Sequence, residues 1–84
     1  MNKIVWLPKS LKQLRKIDRQ DNANIRRAVN ELMAMPHCQN IKALTNHAFG
    51  YRLRVGRYRV LFDWQDIVKI VEIQEVRKRD EHTY

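Results

Sequence analysis

The sequence predicts a single small α+β domain, in which one strand is followed by a two-helix hairpin and then by a three-stranded antiparallel meander. Its 84 residues leave room for only one hydrophobic core. Two stretches with helical spacing of apolar residues come before three stretches rich in β-forming residues. Only two glycines and two prolines interrupt the chain, without repeats or a linker, so we expect residues 1–84 to form one domain.

The first half of the chain has the patterns of one strand and two helices. Residues 3–7 are rich in β-forming side chains and are followed by a proline, which indicates a first strand. In residues 9–18 apolar side chains recur every third position among lysines and arginines, which indicates an amphipathic basic helix. A second helix is predicted from Asp21 or Asn22, either of which is a suitable cap, to Met35.

The second half of the chain has the patterns of three strands. After a connection over residues 37–50, arginines alternate with apolar residues in the stretch 51–62. This alternation predicts a hairpin with Gly56-Arg57 as its two-residue turn. A third strand, rich in valine and isoleucine, is predicted from Ile67 to about Val76. Because the helices precede consecutive antiparallel strands, we expect them to cover one side of the sheet.

The predicted hairpin gathers three arginines on the other side of the sheet. Its register places Arg54 opposite Arg59 and Arg52 opposite Leu61, because residues paired across an antiparallel hairpin share a face. Like charges in this position destabilise a sheet, which indicates that an anion binds between them. The chain has 17 Lys and Arg against 9 Asp and Glu, a formal net charge of +8. This balance favours nucleic acid as the partner.

Other classes of protein find little support in the sequence. The single cysteine, Cys38, excludes an internal disulfide, and the apolar run near Met1 is too short for a signal peptide or a membrane span. We therefore expect a cytoplasmic protein without membrane contact. The histidines and the cysteine lack the spacing of zinc ligands, and no glycine-rich phosphate loop is present. Neither a metal nor another cofactor is expected.

Several short motifs bring a known family into view. The chain resembles the RelE/ParE superfamily of bacterial toxins, and its RelE-like branch in particular. The resemblance lies in Lys42-Ala43-Leu44, Tyr51-Arg52-Leu53-Arg54-Val55-Gly56, Tyr58-Arg59-Val60-Leu61-Phe62 and Lys78-Arg79-Asp80 followed by Tyr84. It covers nearly the whole chain and implies a fold of the RelE-like, microbial ribonuclease type.

The resemblance also implies an activity and the residues that carry it out. RelE-like toxins of type II toxin–antitoxin systems are ribosome-dependent endoribonucleases that cut mRNA in the ribosomal A site and thereby inhibit translation. The ribose 2′-OH attacks the adjacent phosphorus without a metal, leaving a 2′,3′-cyclic phosphate and a 5′-OH. The implied catalytic residues are Arg59, Arg79, His82 and Tyr84. The implied substrate-binding residues are Arg52, Arg54, Lys42 and Lys78.

Proton transfer needs a group other than the strand arginines. Arg52 and Arg54 occupy positions where well-known RelE-like toxins often carry lysine, and an arginine does not lose its proton in practice. The candidates for proton transfer are His82, Tyr84, Glu72, Glu75 and His47. Among these candidates His82 leads, because its ordinary pKa lies near neutral pH.

Two other functions and several partners belong to the same interpretation. A ParE-like toxin of the same fold would inhibit DNA gyrase, and a noncatalytic nucleic-acid-binding module would bind RNA in a salt-sensitive way without cutting it. The resemblance implies a cognate antitoxin as protein partner. We expect it to bring an acidic segment that folds on the basic surface. The other expected partners are mRNA, the ribosomal A site and ribosomal RNA of the 16S type.

Overall fold

The computed structural model describes residues 1–79 and shows an α+β fold, as predicted. Helices α1 and α2 follow the first strand, and the remaining strands complete one five-stranded sheet of order β1-β5-β4-β3-β2. Strand β1 pairs with β5 in parallel, and every other pair is antiparallel. The elements are β1 (Lys3–Trp6), α1 (Pro8–Arg15), α2 (Arg19–Asn30), a 3₁₀ helix (Glu31–Ala34), β2 (Ile41–Ala43), β3 (Tyr51–Val55), β4 (Tyr58–Gln65) and β5 (Ile70–Lys78).

The structure differs from the predicted elements in several places. The second helix, predicted to reach Met35, ends at Asn30 and is followed by the 3₁₀ helix. The connection over residues 37–50 contains β2, which extends the predicted meander by one strand. Helix α2 begins at Arg19, so neither Asp21 nor Asn22 caps it. Strand β5 begins only at Ile70, because Ile67 and the residue after it belong to the turn that precedes the strand. Ile67 is 97% exposed, which shows that a β-forming side chain alone does not start a strand.

The hydrophobic core lies between the two helices and one face of the sheet. Leu14 of α1 and Ile25 and Val29 of α2 pack there against the apolar side chains of β3, β4 and β5. The strand residues in this core are Leu53, Val60, Phe62, Val71, Ile73 and Val76. Both helices therefore cover the face of the sheet opposite the arginines, as predicted. Within residues 1–79, no helix is long and apolar enough to cross a membrane.

Helix α1 is fixed to the part of β5 that β1 does not reach. The pairing of β1 with β5 ends at Ile73, and the Ser10 hydroxyl donates a hydrogen bond of 2.7 Å to the Ile73 carbonyl. Three residues further on, the Val76 backbone N–H donates to the Gln13 side-chain oxygen at 2.7 Å. The Ile73 carbonyl also accepts from the Leu7 backbone N–H at 3.1 Å, and the Gln13 side chain gives the Val76 N–H a partner beyond the end of β1. These contacts also hold Lys9 beside the arginine face.

Candidate phosphate-binding site

The hairpin of β3 and β4 has the register that the alternation predicted. Arg54 pairs with Arg59, and Arg52 pairs with Leu61. The two strands are joined by Gly56 and Arg57, and Gly56 has a φ of 55°. A positive φ at the first central residue alone is the pattern of a type II′ turn, whose twist suits a hairpin. The predicted arginine face is therefore confirmed at the level of the backbone.

Four arginines and the turn of the hairpin surround a small surface pocket. It is lined by Arg52 and Arg54 of β3, Arg59 of β4, Arg79 after β5, and also Gly56 and Tyr58. The backbone N–H of Arg79 donates to the Arg57 carbonyl, which fixes the end of β5 beside the hairpin turn. The pocket volume is about 70 Å³, well below the roughly 300–1,000 Å³ that encloses a small molecule. This size suits one phosphoryl group.

The pocket is chemically suited to an anion. Among the residues that the structure describes, no pocket arginine forms a salt bridge with a carboxylate. Guanidinium groups bind phosphate oxygens through pairs of parallel N–H donors and keep their charge at every physiological pH. An anion between Arg54 and Arg59 would also relieve the repulsion of two like charges that face each other across the strands.

The structure brings most, but not all, of the predicted site residues together. Lys42 of the edge strand β2 pairs with Arg52 and so lies on the arginine face, next to the pocket.

Lys78 pairs with Tyr58 and lies on the opposite face. On that face a hydrogen bond with Asp18 raises the pKa of Asp21, and the positive charge of Lys78 acts in the opposite direction. Lys78 is therefore separated from the other predicted substrate-binding residues. His82 and Tyr84 lie outside the described residues.

The described candidates for proton transfer do not line the pocket. Glu75 is buried on the arginine face and accepts a hydrogen bond of 2.8 Å from the Arg77 guanidinium. This hydrogen bond lowers the pKa of Glu75, and the positive charges of Arg77 and Lys9 lower it further. Burial acts in the opposite direction and raises the pKa, but the net effect is a lowered pKa. A carboxylate held in this way is a weak base.

Two other candidates from the sequence also lie away from the pocket. Glu72 accepts a hydrogen bond of 3.0 Å from the Gln65 amide and pairs across the strands with Asp63, several residues from the pocket end of β5. The ring of His47 is exposed in the loop before β3, where its Nδ1 accepts a hydrogen bond from the Phe49 backbone. The structure therefore supplies no general base from these two positions.

Sequence reasoning missed Tyr58 as part of the pocket. As the alternation predicted, Tyr58 packs against the core, and because it follows the turn directly it also borders the pocket beside Gly56. Burial raises the pKa of Tyr58, and the carboxylates of Asp21 and Asp18 raise it further. The influence of these two carboxylates is consistent with a ring on the helix-covered side of the sheet. Its position next to the turn glycine is the signal that would have revealed it.

Comparison with known proteins identifies the fold. Residues 4–82 match the family described as the ParE toxin of type II toxin–antitoxin systems, parDE. No curated protein matches the chain. Within residues 1–79, no three His, Cys, Asp or Glu side chains are grouped so that they could hold a metal ion.

Three solved structures illustrate the similarity. The toxin–antitoxin complex RelBE2 from Mycobacterium tuberculosis is 22% identical, with a TM-score of 0.82 over 93% of this chain and 98% of that chain. The archaeal RelE–RelB complex from Pyrococcus horikoshii is 18% identical, with a TM-score of 0.81 over 95% and 97%. The isolated E. coli RelE toxin is 16% identical, with a TM-score of 0.82 over 99% and 89%.

At these identities the structures establish the fold, whereas the family match spans nearly the whole chain. The chain therefore belongs to the ParE toxin family and is a type II toxin of the RelE/ParE superfamily.

Proposed function

We propose that this toxin is a ribosome-dependent endoribonuclease that cuts mRNA. The observation that carries the proposal is the convergence of Arg52, Arg54, Arg59 and Arg79 on one pocket of phosphate size. The arginines come from two strands and from the residue after a third, which places donors on several sides of one anion. Such an arrangement suits a phosphate whose charge increases during a reaction.

The reaction that fits this pocket is attack by the ribose 2′-OH on the adjacent phosphorus. The 2′-oxygen forms a bond to phosphorus as the bond to the 5′-oxygen breaks, which leaves a 2′,3′-cyclic phosphate and a 5′-OH. Arg59, which faces Arg54, would stabilise the charge on the nonbridging oxygens, and Arg79 would reach it from the end of β5. Arg52 would hold the substrate strand with help from Lys42.

Proton transfer is assigned to the residues that follow Arg79. One proton leaves the 2′-OH and one is added to the 5′-oxygen, and arginine performs neither step efficiently. His82 follows Arg79 by three residues in the sequence. Tyr84, two residues further, would stack on a base or take part in the proton transfer. His82 is the proposed general acid or base.

The ribosome would supply what the open pocket lacks. A pocket of about 70 Å³ holds one phosphate and leaves the rest of the nucleotide outside. The orientation of the sugar for in-line attack would then come from mRNA held in the ribosomal A site. The net charge of +8, with Lys9, Lys12 and Arg15 exposed on α1, would steer the toxin towards ribosomal RNA in the cytoplasm.

The expected protein partner is an acidic antitoxin. Solved structures with this fold include complexes with RelB antitoxins. We propose that the antitoxin of this chain places carboxylates against the arginine face, where they would compete with RNA phosphate.

A gyrase-inhibiting function is the second candidate, because the matched family is described as that of the ParE toxin. On this alternative the basic surface would bind a protein–DNA target, and no RNA would be cut. The four-arginine pocket favours the endoribonuclease, because inhibition of gyrase by binding does not require donors arranged around a single phosphate.

Primer extension on a defined mRNA with programmed ribosomes tests the proposal. The purified toxin should cut within the A-site codon, and Arg59→Ala should reduce the rate by about 10²–10³-fold, as the loss of a transition-state donor does. Tyr84→Phe should also weaken the cut. Arg26→Ala is the matched control, since it removes an exposed arginine of α2 far from the pocket along the chain, and it should leave the rate unchanged.

Two results would contradict the endoribonuclease. A toxin that arrests growth without cutting mRNA would point to gyrase, and a DNA supercoiling assay would then decide. Salt-sensitive RNA binding without cleavage and without growth arrest would indicate a noncatalytic binding module.

A further inference from the structure

Glu75 is a buried carboxylate in the middle of the basic face. It is the one charged residue among those described that is buried, with 6% of its surface exposed. Its Oε1 accepts the hydrogen bond from Arg77 Nε at 2.8 Å, and its Oε2 lies 3.5 Å from the Lys9 ammonium of α1. Both oxygens therefore face cations, and the pairing offsets much of the cost of burying the charge.

A β-bulge places Glu75 on this face. The register between β4 and β5 shifts between Leu61 and Phe62, since Leu61 pairs with Glu75 but Phe62 pairs with Ile73. Gln74 is the extra residue on β5. If residues 73–76 alternated regularly, without a bulge, Glu75 would lie on the same face as Ile73 and point towards the core, because successive side chains of a strand point to opposite faces.

The position of Glu75 determines what Arg77 can bind. Arg54 pairs with Arg59, and Arg59 pairs with Arg77, so the three arginines form one row across β3, β4 and β5. Adjacent strands lie about 4.8 Å apart, so each arginine of the row is a neighbour of the next. Arg77 does not line the pocket, and its guanidinium is held by Glu75.

We propose that Glu75 is a positioning residue that withholds Arg77 from RNA phosphate and thereby confines the bound phosphate to the site between Arg54 and Arg59. The proposal rests on the proposed function insofar as the bound anion is an RNA phosphate. A third free cation in the row would offer the RNA strand a second place to bind, one β-strand away from the reacting bond. The low pKa of Glu75, caused first by the hydrogen bond from Arg77, keeps the carboxylate ionised at neutral pH.

The salt dependence of RNA binding tests this role without any cleavage. The probe is a short, fluorescently labelled 2′-O-methyl oligoribonucleotide, which has no free 2′-OH to attack the phosphate. Its affinity for the purified toxin is measured by anisotropy over a series of salt concentrations. Each additional phosphate contact steepens the slope of log K against log salt by about 0.7 for a single strand. Glu75→Gln should release Arg77 and steepen the slope by about that amount.

Two companion variants separate this effect from damage to the fold. Arg77→Gln keeps a side chain that can donate to Glu75, and it should leave the slope of the wild type unchanged. The double variant Glu75→Gln/Arg77→Gln should return to the wild-type slope. Arg59→Gln, which removes a pocket arginine, should make the slope shallower. Thermal melting of each variant shows which of them are folded under the binding conditions.

Clear results would overturn the proposal. An unchanged or shallower slope for folded Glu75→Gln would do so, and so would a loss of slope in Arg77→Gln equal to that in Arg59→Gln. If Glu75→Gln does not fold, the comparison of Arg77→Gln with Arg59→Gln still decides. A wild type that binds the probe with the predicted pattern but cuts no mRNA would contradict the proposed function and leave the role of Glu75 intact.

Discussion

The two faces of the β3–β4 hairpin are made by alternate residues of the same short stretch, yet they have opposite physical character. Leu53, Val60 and Phe62 are buried against the helices, at 4%, 0% and 0% exposure. Their neighbours Arg52, Arg54 and Arg59 line the pocket on the other side. Burial of apolar surface makes the first face stabilising, whereas the repulsion of like charges makes the second face costly. In this hairpin a substitution at one residue should therefore change stability, and a substitution at the next residue should change ligand binding.

The largest effect is expected on the helix-covered face. Leu53→Ala should lower the free energy of unfolding by about 2–5 kcal/mol, since it removes buried methyl groups and leaves a cavity in the core. Urea denaturation followed by circular dichroism measures this change. A loss below about 1 kcal/mol would mean that this face of the hairpin contributes little to the core, and the contrast between the faces would fail.

A smaller effect is expected at the turn that both faces share. Gly56→Ala should cost about 1–2 kcal/mol, because a side chain disfavours the left-handed backbone that Gly56 adopts. An added Cβ would meet no atom within 4 Å, so the cost is conformational and not steric. Arg57→Ala, at the neighbouring exposed position, is the matched control and should change stability little. Equal losses for both variants in the same denaturation experiment would contradict this explanation.

Truncation of a side chain on the arginine face should change stability in the opposite direction from truncation in the core. Arg54→Ala should leave stability unchanged or raise it by about 0.2–1 kcal/mol, since it removes the like charge that faces Arg59. The same variant should weaken binding of the 2′-O-methyl oligoribonucleotide. When the unfolding free energies of Arg54→Ala and Leu53→Ala are measured together, two adjacent residues with opposite expected effects are compared. Clear destabilisation by Arg54→Ala would show that the arginines also contribute to folding.

The smallest effect is expected at acid pH and concerns Glu75, which is buried on the arginine face. The hydrogen bond from Arg77 lowers the pKa of Glu75 below its usual value of 4.5. A lowered pKa contributes stability above pH 4.5, and this contribution is lost as the pH falls through the lower pKa of the folded state. The difference in stability between wild type and Glu75→Gln should therefore narrow below pH 4.5. Denaturation curves between neutral pH and pH 3 test this, and a constant difference would contradict it.

The parts of the fold that could be predicted were those with a repeated local pattern. Alternation over twelve residues was enough to predict the hairpin, its turn and the pairing of Arg54 with Arg59. Strand β2 has only three residues, too few for alternation to show, and its pairing with β3 defines it. The start of α2 was missed because Asp18 takes the N-terminal position without a side-chain hydrogen bond.

The site was predictable in part for a similar reason. Arg79 was assigned to the site by family resemblance, and the contact of its backbone with Arg57 now accounts for its position at the pocket. Tyr58 was predicted correctly on the core face, and its second position at the border of the pocket was missed because alternation assigns each residue to one face only. The separation of Lys78 from the pocket follows from strand alternation, because its neighbour Arg77 pairs with Arg59 on the arginine face and Lys78 therefore lies on the other face.

The bulge at Gln74 affects how the sequences of related chains align with β5. It shifts the phase of β5 by one residue, so that the polar pair Gln74-Glu75 replaces strict alternation between Ile73 and Val76. In an aligned relative, the number of residues between the apolar positions before and after this pair would report whether the strand carries the extra residue. A relative one residue shorter here would alternate regularly and place a single side chain on the arginine face between these apolar positions. Where that residue is not a carboxylate, the third arginine of the row, if present, would be left to bind phosphate. The residue at the position of Glu75, and not segment length alone, thus distinguishes two kinds of basic surface within one fold.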